Sequence, residues 1–180
     1  MITIRKETLA DRAAIRDITI DAFANSVHGH QGEADLVDAL RSSNADGLSL
    51  VAEREGTLVG HLLFSPVVVR RQGRELHGQG LAPLSVLTAQ QRRGVGSALV
   101  VAGQELLAAT GNPFTVVAGD PAYYGRFGFV PAGQFGWTHG FAGMPQEFFQ
   151  VHAHDPAELD PFRDGQVFYR EEFGPQHEAG

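Results

Sequence analysis

The element order legible in this sequence predicts an α+β fold, a mixed sheet with helices on its faces. Three observations carry that prediction. Apolar, β-branched runs from Leu48 to Glu53 and from Leu58 to Val69 are joined by Glu55-Gly56, the signature of a hairpin. Val95, Ala98/Leu99, Ala102, Leu106 and Ala109 recur at spacings of three and four, which makes one apolar stripe of a helix, and Gly111 and Pro113 stop it. Short strand-like runs follow at Phe114 to Ala118, around Phe148 to His152, and at Gln166 to Phe168.

Taken in order, Ile2 and Ile4 alternate with Thr3 and Arg5 as a first strand. Thr8 offers an N-cap to a helix from about Leu9 to Ala24, with Ile15, Ile18 and Ala22/Phe23 inward. Asn25 to Gly32, polar and holding His28 and His30, reads as a loop. A second helix then carries Glu33 in its first turn and Leu36, Val37 and Leu40 on its inner side. Arg70 to Glu75, with Gln72-Gly73, reads as a turn leading to Leu76 and to a strand near Leu81 to Leu87. Pro66 and Pro83 each remove a ladder donor and predict a bulge, an edge or a splayed position. Asp120-Pro121 caps a short helix from Ala122 to Phe127. Gly133 to Pro145 reads as an aromatic and glycine-rich connection, and the tail after Phe173 as frayed. The predicted order is β-α-α-β-β-β-α-β-α-β.

A chain of 180 residues supports one sizeable core, so one domain over residues 1–180 is expected. Its 43% hydrophobic and 19% charged content is that of a globular protein, and no apolar run has the length a membrane span needs. The start, MITIRKE, enters a strand without a signal-peptide core, so a cytoplasmic location is expected. A net charge of -7 argues against a nucleic-acid partner and mildly favours cationic amines. Cysteine is absent, which excludes a disulfide framework, a thiolate metal site and an acyl-cysteine intermediate. The pairs His28/His30 and His152/His154 have no third ligand at telling distance. No metal is expected, and pocket-lining or surface roles suit them, as they suit His77.

The chemistry concentrates between Leu84 and Phe129. Gly94-Val95-Gly96-Ser97 follows a strand and opens the central helix, whose first turn has N–H groups without intrahelical partners and the positive end of the macrodipole. Two glycines allow unusual dihedrals and close approach of an anion, and Gln91, Arg92 and Arg93 stand just before. The predicted ligand group is a pyrophosphate.

Gln91-Arg92-Arg93-Gly94-Val95-Gly96 resembles the Q/R-x-x-G-x-G/A signature of the GCN5-related N-acetyltransferases (GNAT). Tyr124-Gly125-Arg126-Phe127-Gly128-Phe129 resembles their later Y-x-x-x-G-F. The flanking Gly119-Asp120-Pro121-Ala122-Tyr123-Tyr124 is similar to a bacterial subgroup of predicted N-acetyltransferases, and the likeness extends to Gly165-Gln166-Val167-Phe168-Tyr169. It is most specific from Leu81 to Phe129. It implies a mostly antiparallel sheet in which the strands of Leu81 to Leu87 and Phe114 to Ala118 run parallel and splay around coenzyme A.

The resemblance further implies acetyl-CoA as co-substrate and a small-molecule or peptide amine as acceptor. The backbone of Val86 and Leu87 would meet the pantetheine and the oxyanion, and the phenol of Tyr124 would protonate the departing thiolate. Tyr124 also has a plain packing role open to it, against Phe127 or Phe129, and Tyr123 is its near neighbour. Some family members carry a glutamate on the strand of Leu81 to Leu87, whereas this chain has Pro83 and Ser85 there and no carboxylate. Glu33, after Gly29-His30-Gln31-Gly32, matches a recurrent Gly-Glu of the subgroup and is the candidate for substrate contact. A helix N-terminal carboxylate favoured by the dipole is the alternative reading. Homodimerisation and an acyl group longer than acetyl stay open at this stage.

Two rival functions remain. A dinucleotide-binding oxidoreductase would use Gly94-Val95-Gly96 and Asp120, but the third glycine position is Leu99, and hairpins rather than β-α-β units precede it. A non-catalytic acyl-CoA-binding regulator would share the pocket without the transfer.

Overall fold

The computed structural model describes residues 1–24 and 32–178. The loop expected from Asn25 to Gly32, with His28 and His30, lies almost wholly outside the described residues. Residue contacts divide the chain into two compact units, residues 1–64 with 82–105, and residues 65–81 with 106–180.

In the first unit β1 (Ile2–Lys6) pairs antiparallel with β2 (Ser49–Arg54), from Ile2 opposite Arg54 to Lys6 opposite Leu50. β2 pairs antiparallel with β3 (Thr57–Arg71), which is in turn hydrogen-bonded to β4 (Arg74–Val86). Glu55-Gly56 and Gln72-Gly73 join these strands, all four residues at positive φ. That is the two-residue turn whose twist matches the flanking strands. The second turn is tighter than expected, because Arg70, Arg71, Arg74 and Glu75 all belong to strands. Pro66 is exposed inside β3 and Pro83 lies inside β4, so neither proline ends its strand.

The first helix begins as a 3-10 turn, Leu9–Asp11, before α1 (Arg12–Phe23). The Asp11 carboxylate accepts the Thr8 N–H at 2.7 Å and pairs with Arg5. Ile15 and Ile18 of α1 and Val37 and Leu40 of α2 (Glu33–Ser42) are buried, as their spacing predicts. The helix α3 (Val95–Ala109) is rotated from the predicted stripe: Val95, Leu99, Gly103 and Leu107 face inward, while Leu106 and Ala109 are exposed. Glycines cause the rotation. A Cβ at Gly103 would stand 2.5 Å from the Phe64 ring, and one at Gly60 would stand 2.9 Å from Val95, so each glycine leaves room for a side chain of the facing element.

The first unit also encloses a polar cluster that no sequence pattern announces. Glu7 accepts hydrogen bonds from Arg41 Nη2 at 2.7 Å and from the Ser49 hydroxyl, whose oxygen lies 2.9 Å from His61 Nε2. With that hydroxyl donating to the carboxylate, the network assigns the proton to His61 Nε2 and leaves buried Nδ1 without a partner among the described residues. Burial raises the Glu7 pKa, but the bonds from His61, Ser49 and Arg41 outweigh it and bring the value from 4.5 down to about 2. The stabilisation Glu7 supplies is therefore complete above its unfolded value and is lost as pH falls from 4.5 toward 2. Urea melts should show a lower midpoint near about pH 3 than near about pH 6, and Glu7→Gln should shrink that difference.

In the second unit β4 pairs in parallel with β5 (Phe114–Ala118), for two residue pairs only, Gln79 with Thr115 and Gly80 with Val116. β5 pairs antiparallel along its whole length with β8 (Phe149–Ala153), which also takes β6 (Val130–Pro131). β9 (Gln166–Phe168) is antiparallel to β3 and parallel to β7 (Thr138–His139). The sheet is thus mixed and mostly antiparallel, as expected. α4 (Pro121–Tyr124) continues into a 3-10 turn, Gly125–Phe127, over the predicted span, and α5 (Pro156–Leu159) was not foreseen.

The segment Gly133 to Pro145 is no loose connection. Its Trp137 is fully buried, donates Nε1–H to the Phe162 carbonyl at 2.9 Å, and meets Phe114 edge-on at 4.9 Å. The tail is likewise held rather than frayed. The Gln176 side chain brackets the Tyr169 backbone at 2.7 and 3.1 Å, and His177 N–H donates to Gly140 at 2.9 Å, satisfying main-chain groups at the sheet's end.

Candidate functional site

The predicted anion cradle is built where β4 gives way to α3. A 3-10 turn, Thr88–Gln90, is fixed to α1 by Asp21, whose carboxylate takes the Thr88 N–H at 2.6 Å. Arg54 holds the same turn from β2 through Gln90 Oε1 at 2.8 Å. Arg92 and Gly94 both adopt positive φ, at 60° and 84°, on either side of Arg93. Left-handed residues of this kind turn successive N–H groups to one side, the backbone form of an anion nest. The first intrahelical bond of α3 runs from Ala98 N–H to Gly94 at 3.0 Å, so the amides of Val95, Gly96 and Ser97 stay unpaired within the helix. A Cβ at Gly94 would meet nothing within 4 Å, which leaves room before those donors.

Charge follows the same plan. Arg92 and Arg93 are exposed, and among the described residues neither is paired with a carboxylate. Gln91 plays a different part: its Nε2 donates to the Val86 carbonyl at 3.1 Å, bracing the end of β4. The Leu87 N–H donates to Val59 at 3.0 Å, and its carbonyl accepts from Gln90 at 2.7 Å, so both of its main-chain groups are in use. Strand alternation then turns the N–H groups of Leu84 and Val86 to the edge away from β3. Of the two residues expected to offer main-chain groups, Val86 keeps a free amide direction and Leu87 does not. Leu99, at the position of a dinucleotide fingerprint's third glycine, packs on Gly60, so the strand supplies the close approach instead.

In the second unit, Asp120 caps α4 as its sequence predicts, accepting Ala122 N–H at 2.9 Å, with Pro121 first in the helix. Tyr124 at the end of α4 is half-buried over Gly119, where a Cβ would collide with its ring. Its ring also meets Phe129 edge-on at 5.6 Å, so it both packs and presents a phenol. Burial, with a smaller contribution from Tyr123, pushes its pKa above the ordinary 10 and keeps the hydroxyl protonated. Tyr123 meets Tyr124 edge-on at 5.0 Å and packs against Phe127 at 5.3 Å and under Arg126 at 4.6 Å.

The remaining candidates are scattered. Glu33 is the first residue of α2. His152 of β8 and His154, one residue past the end of that strand, have ring centres 4.6 Å apart, and His154 Nε2 lies 3.1 Å from the Thr115 hydroxyl. Burial lowers both histidine pKa values, that of His154 to about 4. Among the described residues no three potential ligands cluster as a metal would require. Tyr169 was visible to the sequence only as part of a likeness, and its buried hydroxyl, without a partner among the described residues, gives it separate weight.

A sheet of antiparallel hairpins with one short parallel pair, and a glycine nest feeding the central helix, defines an acyltransferase-type scaffold. The acetyltransferase (GNAT) family model matches residues 3–132, and the chain belongs to that family. It is 38% identical over 134 residues to the N-acetyltransferase YhbS of Escherichia coli, covering 74% of this chain and 78% of that one. A crystal structure of YhbS in complex with CoA superposes with a TM-score of 0.84 at 34% identity, over 97% of this chain and 92% of the other. A GNAT family acetyltransferase from Brucella melitensis, in complex with acetyl-CoA, has a TM-score of 0.79 at 38% identity, over 96% and 98% of the two chains. Among the described residues no helix is long and apolar enough to cross a membrane.

Proposed function

We propose that this chain is an N-acetyltransferase that moves an acetyl group directly from acetyl-CoA to a primary amine of a small molecule or of a protein or peptide, working as one domain in the cytoplasm. The observation that carries the reading is the nest at Arg92 to Gly94 opening onto the free amides of Val95, Gly96 and Ser97. That array suits the pyrophosphate of coenzyme A, with Arg92 and Arg93 adding charge and Gln91 bracing the strand end. The outward amide of Val86 suits the pantetheine arm. Relatives at 34–38% identity whose structures hold CoA or acetyl-CoA support the same assignment.

Transfer is direct because no cysteine exists to carry the acetyl group. The neutral amine attacks the thioester carbonyl, the amide bond forms as the carbon–sulfur bond breaks, the Tyr124 phenol gives its proton to the departing thiolate, and the proton shed by the nitrogen passes through water to restore the phenol. Its burial keeps that proton in place at working pH. Glu33 is assigned to contact with the acceptor.

A ligand at about a hundred times its Kd stabilises the fold by about 2.7 kcal/mol, which for a chain of this size raises Tm by about 5–10 °C. Acetyl-CoA should produce that rise and NAD should produce none. Stabilisation by NAD alone would replace the present reading with the oxidoreductase. Tight acetyl-CoA binding without transfer across a panel of amines would leave a regulator.

A further inference from the structure

Two phenols of the second unit stand over glycines near the end of the β4–β5 pairing. Tyr169 lies over Gly80, the last β4 residue paired with β5, where a Cβ would stand 2.7 Å from its Cε1. Tyr124 lies over Gly119, just past the end of β5. Gly80 is opposite Val116, and Gly119 follows Val116 by three residues, so strand alternation turns the two glycines to opposite faces. The phenols therefore approach the same strand end from the two sides. Tyr169 is desolvated, and the neighbouring Tyr124 also adds to the upward push on its pKa, which agrees with that proximity.

Their hydroxyls differ. That of Tyr169 is buried and, among the described residues, has no hydrogen-bond partner. Its ring meets Phe141 at 5.3 Å and Phe173 at 5.1 Å, and its backbone is bracketed by Gln176. A buried donor without a partner is costly, and a native fold that keeps one calls for an explanation. Phenylalanine would fill the same space without the cost.

We infer that the Tyr169 hydroxyl is a binding group for the acyl moiety, donating a hydrogen bond to the carbonyl oxygen of the bound thioester. The inference rests on the acetyl-CoA reading above. A phenol held protonated by burial is a donor at every working pH, and the acceptor that distinguishes acetyl-CoA from CoA is that carbonyl oxygen. Tyr169 then reads the acyl group on one face while Tyr124 serves the sulfur on the other.

Calorimetric binding of acetyl-CoA and of CoA to the wild type and to Tyr169→Phe tests this, with the melting temperature of each ligand-free protein. The preference for acetyl-CoA over CoA should fall by about 3- to 10-fold in the variant, the worth of one hydrogen bond. CoA affinity should be unchanged, and the ligand-free variant should melt no lower than the wild type. An unchanged preference overturns the inference, as does a variant that melts lower and loses both ligands together, since that marks a structural tyrosine. If the wild type binds neither ligand, the acetyl-CoA reading fails and this inference fails with it.

Discussion

Tyr124→Phe is expected to lower turnover by about 10²–10⁴-fold, the range for a positioned general acid, while acetyl-CoA affinity changes less than about twofold. The split follows from what the substitution removes. The ring stays over Gly119 and against Phe129, so packing survives, and the cradle of Gly94 to Ser97 is untouched. Only the proton for the thiolate is gone. Burial raises the Tyr124 pKa above 10, so the wild type should show no alkaline loss from this group below about pH 10. Turnover equal to wild type in the variant would remove Tyr124 from the chemistry and leave it a packing residue.

Arg41→Ala should be the most damaging single change to stability among those considered. The Arg41 side chain is 4% exposed and bonds Glu7 at 2.7 Å, while Glu7 is itself 11% exposed. Removing one partner leaves a carboxylate desolvated without its cation, a loss of about 3–5 kcal/mol. For a chain of this length that corresponds to a fall in Tm of roughly 6–20 °C. A urea melt of the two proteins reads it directly. A loss below about 1 kcal/mol would show that water or Arg12 replaces the guanidinium at Glu7.

The parts of this protein legible in its sequence are those that local rules govern. Glu55-Gly56 marked its hairpin because both positions need positive φ, and Asp120-Pro121 marked α4 because the cap and the first helical position have narrow preferences. The Gly94 to Ser97 turn was legible for the same reason. Long-range packing was not. Trp137 sat in a glycine-rich stretch without periodicity, and only contact with Phe114 and Phe162 makes it core. The inward stripe of α3 slipped by one residue at its end because Gly60 and Gly103, on two different elements, set how the helix lies. The Glu7, Arg41, Ser49 and His61 cluster joins four segments, and no one of them carries its pattern. Leu87 illustrates the limit within the site: its residue type fits the expected role, yet the bonds to Val59 and Gln90 occupy its main chain.

Amide NMR during a CoA titration addresses the cradle most directly. The account predicts that the N–H resonances of Gly94, Val95, Gly96 and Ser97 move most, and that pantetheine, which has no diphosphate, leaves them in place. Saturating CoA that shifts resonances elsewhere while those four stay still would contradict it.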